Sequence, residues 1–231
     1  MKHLWPWLCA ILSGLLLAFC FPPLEQSWLS WIALTPLISA VWFSPRDKKR
    51  PALRLFLLGY VTGIVFYATL FFWITTVSFV GWVALPFYLG LFPASWVLFI
   101  AYCATPQEKP GQEKSIWLSS LNNLRICALA AAAWVSLEWL RGTLFTGFGW
   151  NPLGVALHAN IAMIQIARFT GVGGLTFLIV MMNGIAVATI KRLQMEVGRM
   201  AMRPHYDFSL TVVLITLTFG YGFRLTTQKA G

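Results

Sequence analysis

Apolar residues occur along this chain in long uninterrupted runs, and short polar or proline-containing segments separate those runs. A helix needs roughly 20 mostly apolar residues to cross a bilayer. The runs predict seven spans, over residues 4–21, 28–43, 55–77, 83–104, 122–141, 169–190 and 208–223. The predicted fold class is therefore all-α, a polytopic transmembrane helix bundle, with residues 1–231 forming a single transmembrane domain.

Prolines and glycines indicate where some of these spans end. Pro22 and Pro23 follow the first run, and proline cannot extend the hydrogen-bond ladder of a helix. Residues 55–107 carry no charge and are long enough for two spans. Gly81 and Pro86 mark the predicted turn between these two spans.

Basic residues flank the runs unevenly, and this distribution predicts the orientation. With a cytoplasmic N-terminus, 13 of the 17 lysines and arginines fall on the cytoplasmic side and 4 on the other. Cytoplasmic loops retain lysine and arginine, so we expect the N-terminus inside and the C-terminus in the periplasm. A second apolar run follows the first directly, so residues 4–21 are expected to be a retained span and not a cleaved signal.

The overall composition agrees with a membrane protein. Hydrophobic residues make up 58% of the chain and charged residues only 10%, too few to coat a soluble domain of this size. The net charge of +10 is explained by basic loops such as residues 46–50, which anchor the topology beside anionic lipid head groups. No soluble basic domain accompanies these charges, so no nucleic-acid partner is expected.

Familiar catalytic and metal-binding patterns are missing from the sequence. There is no P-loop, GxSxG or HExxH motif, and the four cysteines form no CxxC pair. The three histidines lie in three separate segments, so we predict no metal site and no cofactor. Coupled transporters keep ionisable residues at mid-membrane, and their absence from the middle of the predicted spans disfavours ion-driven transport.

The most informative stretch is residues 134–151, at the predicted outer end of the fifth span. Trp134, Glu138 and Arg141 share one helical face, and the order of Glu138 and Arg141 favours an ion pair between them. Gly142 is expected to end the helix. A glycine-rich aromatic loop follows, and it could cradle a lipid head group whose phosphate an arginine fork would bind. The alternative is a helix end held by a salt bridge and followed by an ordinary interfacial loop.

The same stretch resembles a known family. Glu138 to Gly142, followed by Thr146 to Trp150, is similar to the E-x-L-R-G-x-x-x-T-G-F-P-W-like signature of the apolipoprotein N-acyltransferases, with Gly149 in place of the usual proline. Residues 18–23, 59–73 and 165–183 resemble the first, third and sixth spans of that family. The resemblance covers nearly the whole chain.

The resemblance implies a role in bacterial lipoprotein maturation at the inner membrane. Enzymes of this family move an acyl chain from a phospholipid to the amino group of a lipoprotein, using Glu, Lys and Cys of a nitrilase-like external domain. No residue of this chain matches those three, so no catalytic residue is assigned. We expect the chain alone to be inactive, as a truncated protein or as a stand-alone half that works with a separate nitrilase-like chain.

The resemblance and the loop chemistry together select the candidate residues for binding a phospholipid or lipoprotein, or for docking the external domain. They are Trp73, Trp134, Glu138, Arg141, Gly142, Thr146, Gly147, Phe148, Trp150 and Asn151. A non-enzymatic membrane scaffold, a transporter subunit and a non-functional fragment remain the alternative hypotheses for the chain.

Overall fold

The computed structural model of the protein describes residues 4–44, 51–106, 115–145, 147–196 and 204–228. Within these ranges the chain forms nine α-helices, three short 3₁₀ helices and no β-strand, which confirms the predicted all-α class. The α-helices are α1 Trp5–Phe19, α2 Thr35–Phe43, α3 Pro51–Leu70, α4 Phe79–Leu89, α5 Leu91–Tyr102, α6 Ile116–Thr143, α7 Ile161–Ile164, α8 Ala167–Glu196 and α9 Tyr206–Gln228. The helix α8 is kinked at Gly171, which has a non-helical φ of 63°. The 3₁₀ helices are Ser27–Trp31, Phe72–Thr76 and Leu153–Leu157.

Five helical segments are long and apolar enough to cross a bilayer. They are Pro51–Leu70, Phe79–Tyr102, Ile116–Thr143, Ala167–Gln194 and Tyr206–Gln228. Two shorter apolar segments, Trp5–Phe19 and Ser27–Phe43, occupy the first two predicted spans. Large apolar side chains such as Leu8, Val80 and Leu217 lie exposed on the outside of the bundle, as helices facing lipid require. The protein is therefore a multi-pass membrane protein, while the count of seven spans and the orientation stay predictions.

The turn between the third and fourth spans lies earlier than the sequence predicted. The chain turns over residues 71–78, and α4 begins at Phe79, so the predicted turn at Gly81 and Pro86 is wrong. The Ser78 hydroxyl accepts a hydrogen bond from the Gly81 amide at 3.1 Å and caps the first turn of α4. Pro86 lies inside α4, which membrane helices tolerate more readily than soluble ones.

Glycines let α1, α3 and α5 approach each other closely in one half of the bundle. A Cβ atom at Gly59 of α3 would lie 2.5 Å from the Pro93 carbonyl oxygen of α5. A Cβ at Gly14 of α1 would lie 2.7 Å from the Thr62 carbonyl oxygen of α3. Membrane helices associate largely through such packing, because lipid tails remove the hydrophobic drive between helices.

The second predicted span is broken, and α8 completes its backbone hydrogen bonds. The helix α2 starts inside the bundle, where its first amide groups have no partner within the helix. The Asn183 Oδ1 of α8 accepts the amides of Leu34 and Thr35, at 2.9 and 3.0 Å, and also the Thr35 hydroxyl. Its Nδ2 donates to the Ser30 carbonyl at 2.9 Å. The fully buried Asn183 therefore holds the break in place.

The helices α6, α8 and α9 form the other half of the bundle. The segment between α6 and α8, residues 144–166, folds back onto this half, and its end of the bundle is called the loop face below. A Cβ at Gly154 would lie 2.5 Å from the Val172 carbonyl oxygen, so the 3₁₀ helix Leu153–Leu157 lies directly against α8. The short α7 packs against α9.

A buried ion pair lies at the opposite end of this half, called the ion-pair end below. Arg192 of α8 lies 3.0 Å from the Asp207 carboxylate of α9, and both side chains are nearly inaccessible to solvent. Asn123 of α6 donates to the same carboxylate at 2.8 Å, and Arg192 also donates to the Ser120 hydroxyl. The pair ties together the three helices, and the sequence pattern gave no sign of it.

Candidate functional site

Glu138, near the end of α6 at the loop face, is the centre of a hydrogen-bond network. Its Oε1 accepts the Trp134 indole N–H at 2.9 Å and the Leu153 amide at 2.7 Å. Its Oε2 accepts the Thr176 hydroxyl of α8 at 2.9 Å. The same Thr176 oxygen accepts the Gly154 amide, so the network joins α6, α8 and the returning segment. Glu138 therefore fixes the position of this segment.

The predicted ion pair between Glu138 and Arg141 is wrong. The Glu138 carboxylate takes its three bonds from Trp134, Leu153 and Thr176, and the Arg141 side chain makes none to it. The spacing of the two residues on the helix allows such a pair, but donors from two other segments occupy the carboxylate. The arginine is left without the partner that the sequence suggested.

Arg141 is buried at the loop face with unused hydrogen-bond donors. The residue is 2% exposed, and its Nε and Nη1 have no hydrogen-bond partner among the described residues. The Arg141 Cζ lies 5.5 Å from the centre of the Tyr67 ring of α3, a cation–π distance. A guanidinium has five N–H donors and no acceptor, and burying such donors without an acceptor is costly.

A small cavity of about 10 Å³, room for about one water molecule, lies beside this guanidinium. Aromatic and apolar side chains from α3, α5 and α6 form most of its wall. The lining residues are Tyr67, Phe92, Pro93, Trp96, Trp134, Leu137, Glu138 and Arg141. The Trp96 and Trp134 indole N–H groups are both bonded elsewhere, to the Ala130 carbonyl and to Glu138. Arg141 thus brings free donors to this pocket, and it can receive a carbonyl, carboxylate or phosphate oxygen.

The chain leaves α6 through a tight, left-handed loop. The helix ends at Thr143, one residue beyond the predicted end at Gly142, and the Phe148 amide returns to the Arg141 carbonyl at 2.8 Å. Gly147 has a φ of 74°, and Phe145 has a φ of 56° although it carries a side chain. Non-glycine residues in this region are uncommon and often mark functional sites.

Aromatic rings form a shelf over the loop face. The Trp73 and Trp150 rings stack with centroids 5.8 Å apart, and the Phe148 ring lies 6.1 Å from Trp150. Phe71 meets Phe148 edge to face at 5.3 Å. Trp73 and Trp150 are about half exposed, as is typical of rings at a membrane surface. We call Phe71, Trp73, Phe148 and Trp150 the aromatic shelf.

The structure gathers most of the predicted site residues at the loop face, but in two groups. Trp134, Glu138 and Arg141 line the pocket, while Trp73, Phe148 and Trp150 form the shelf. Of the two glycines, Gly147 takes the left-handed turn of the loop. Gly142 faces Gly149, where an added Cβ would make an ordinary contact of 3.7 Å. Asn151 has a φ of 50° at the end of the loop. Thr146 lies outside the described residues.

Sequence reasoning missed the residues that other segments bring to this site. Tyr67 and Trp96 come from α3 and α5, and Thr176 comes from α8. Each lies in an apolar run, where nothing in the local pattern distinguishes it from a packing residue. The indole N–H groups and the hydroxyl were the available signal, because a buried polar group in a membrane needs a partner.

The fold defines the class of the protein as a multi-pass α-helical membrane protein. Its residues 13–185 match the family model described as the apolipoprotein N-acyltransferase N-terminal domain. The chain belongs to this family.

Similarity to curated relatives extends over most of the chain. It is 35% identical over 237 residues to an apolipoprotein N-acyltransferase of Geobacter metallireducens, covering 97% of this chain and 41% of the relative. It is 31% identical to the enzyme of that name from a Nostoc species, covering 89% of this chain and 40% of the relative. For the enzyme of that name from Rhodopirellula baltica the identity is also 31%, with 77% and 30% covered. The chain thus spans about two fifths or less of the length of these relatives.

Proposed function

We propose that these 231 residues are the membrane domain of an apolipoprotein N-acyltransferase of the bacterial inner membrane. The domain binds the acyl chains of a phospholipid donor and of a lipoprotein acceptor. Groups outside these residues carry out the transfer, in a nitrilase-like domain of the same protein or of a partner chain. The names of the relatives and the share of their length that the chain covers support this division of labour.

The observation that carries the proposal is the buried Arg141 with its unused donors. A charged group that is 2% exposed and has two nitrogens without hydrogen-bond acceptors is expensive to keep, unless a ligand supplies the missing acceptor. The ester carbonyls and the phosphate of a phospholipid are acceptors of this kind. Arg141 is then a binding residue, held in position by the ring of Tyr67.

The surroundings of Arg141 suit an amphiphile better than a free polar solute. The pocket wall is mostly aromatic and aliphatic, and the half-exposed rings of Trp73 and Trp150 lie at the same face. Indole rings favour the boundary between acyl chains and head groups, where one edge is apolar and the other is wet. A lipid could bring one oxygen of its polar part to Arg141 and lay its chain against the rings.

The predicted topology is compatible with this role. Each of the seven predicted spans contains a helix, five of them of spanning length. With seven spans and a cytoplasmic N-terminus, the loop face is periplasmic, and α9 ends on the same side. Lipoprotein and catalytic domain would then meet the membrane domain at the loop face.

The experiment that tests the proposal measures lipid contact with the pocket. The protein is reconstituted in vesicles that contain phosphatidylglycerol with a photoreactive group on the acyl carbons nearest the glycerol. After illumination, adducts are mapped by mass spectrometry on residues 67–73 and 147–151. We expect Arg141→Gln to lower these adducts roughly tenfold to a hundredfold, the range for a lost charged hydrogen bond, while Arg141→Lys loses less.

The matched control is Arg125→Gln, which removes an exposed arginine from the other end of the same helix. It should leave the adducts on both segments unchanged. Equal labelling in Arg141→Gln and in the unaltered protein would contradict the proposed role of Arg141, provided that both variants keep the thermal stability of the parent.

A further inference from the structure

The opposite side of α6 borders a second, larger groove. Its walls come from α6, α8 and α9, and its volume is about 520 Å³, open along one side. Ala132 and Ser136 of α6, Gly173 of α8 and Leu214 of α9 are among its lining residues. Glu138 and Arg141 face the other pocket, so the two spaces lie on different faces of one helix.

The side-chain hydroxyl groups that line this groove are already hydrogen-bonded. Three hydroxyl groups line it, but each bonds to a carbonyl of its own helix. Ser136 donates to Ala132, Thr170 to Ile166 and Thr218 to Leu214, at 2.9, 3.2 and 2.9 Å. A water molecule needs two to four polar partners to stay in such a space. The lining of the groove is therefore mostly apolar.

An arginine lies at the loop-face end of the groove. Arg168, in the first turn of α8, is exposed, and its Cζ lies 5.8 Å from the centre of the Phe169 ring. The Phe169 ring contacts Tyr221 of α9 at 5.9 Å, which joins α8 and α9 at this end. Arg224, one turn beyond Tyr221, is exposed as well. Positive charge thus lies where the apolar groove reaches the membrane surface.

We propose that the groove binds one phospholipid of the leaflet at the loop face. The phosphate lies at Arg168, and one acyl chain runs between α6, α8 and α9. Charge complementarity at the mouth and the mostly apolar walls favour an anionic lipid. An apolar cavity of roughly 150 Å³ already holds benzene, so the groove has ample room for an acyl chain. This site is independent of the proposed role of Arg141.

The test uses a phosphatidylglycerol with a photoreactive group at the middle of one acyl chain, in vesicles that contain the protein. Adducts are counted on residues 170–178, which line the groove, and on Leu8 and Leu12 of α1, which face lipid outside it. We expect Ser136→Phe, which fills the groove, to lower the adducts on residues 170–178 roughly tenfold, since several methylene contacts are lost. Leu129→Phe, two turns away on the same helix face, should change nothing.

A second pair of variants tests the phosphate contact. Arg168→Gln should lower the groove adducts about fivefold, the effect of removing one basic residue near an anionic surface, and Arg168→Lys should keep most of them. Arg141→Gln should leave the groove adducts unchanged. The groove site and the proposed role of Arg141 are therefore tested independently. If the groove residues carry as many adducts as Leu8 and Leu12 of α1, and Ser136→Phe does not lower them, the adducts report ordinary lipid contact. The proposed groove site would then be wrong. If Ser136→Phe lowers the groove adducts but Arg168→Gln does not, the proposed contact between the phosphate and Arg168 is wrong.

Discussion

The two buried arginines of the bundle differ in what surrounds them. Arg192, at the ion-pair end, meets the Asp207 carboxylate at 3.0 Å and also bonds to Ser120. Arg141, at the loop face, is as deeply buried, yet its Nε and Nη1 have no partner among the described residues. The Arg192 guanidinium joins helices, whereas the Arg141 guanidinium keeps donors available for a ligand. The comparison shows that burial alone does not reveal the role of an arginine in a membrane protein.

The largest expected effect comes from breaking the satisfied pair. Asp207→Ala leaves Arg192 buried without its counter-ion, and we expect the free energy of unfolding to fall by about 3–5 kcal/mol. The measurement is chemical unfolding in detergent micelles. Replacing both partners together, Arg192→Met with Asp207→Leu, should recover most of this loss. If the double variant is no more stable than Asp207→Ala, the pair is not the unit that ties α8 to α9.

A smaller loss is expected at the loop face from the acid beside Arg141. Glu138→Ala removes the acceptor of Trp134, Leu153 and Thr176, and we expect a loss of about 2–3 kcal/mol in the same unfolding measurement. Glu25→Ala, an exposed carboxylate at the same face, should change stability by less than about 0.5 kcal/mol. Equal effects of the two substitutions would mean that the Glu138 network does not hold the returning segment.

The smallest effect, and the one with opposite sign, is expected for Arg141. Arg141→Met removes a buried guanidinium whose Nε and Nη1 lack acceptors and keeps the apolar stem. We expect this gain to exceed the lost attraction to the nearby Glu138 carboxylate, so the free energy of unfolding should rise by about 1 kcal/mol. Arg125→Met at the exposed end of α6 should leave it unchanged. A loss of stability in Arg141→Met would show that the guanidinium has a structural partner, and the contrast with Arg192 would disappear.

The positions of the apolar helices could be predicted from the sequence, because hydropathy reports which segments prefer lipid. The structure places a helix in each of the seven runs. Hydropathy could not locate the break before α2 or the turn at residues 71–78. Both depend on where backbone amides find acceptors, and Asn183 and Ser78 supply them. A count of apolar residues carries no information about such partners.

The candidate site was located correctly along the chain but connected incorrectly. Helical spacing placed Trp134, Glu138 and Arg141 on one face, and the Trp134–Glu138 bond follows that spacing. The spacing also suggested the pair of Glu138 with Arg141, which does not form. The competing donors on Leu153 and Thr176 lie 15 and 38 residues further along the chain, beyond the reach of a local pattern.

The acceptor that completes the start of α2 also constrains how the protein is made. The amide of Thr35 bonds to Asn183, 148 residues later in the chain. While the intervening helices are being synthesised, residues 27–43 therefore lack the oxygen that satisfies them in the finished bundle. The early part of the chain must therefore adopt another arrangement, in the translocation machinery or in the membrane. It reaches its final arrangement only when α8 has been inserted and packs against it.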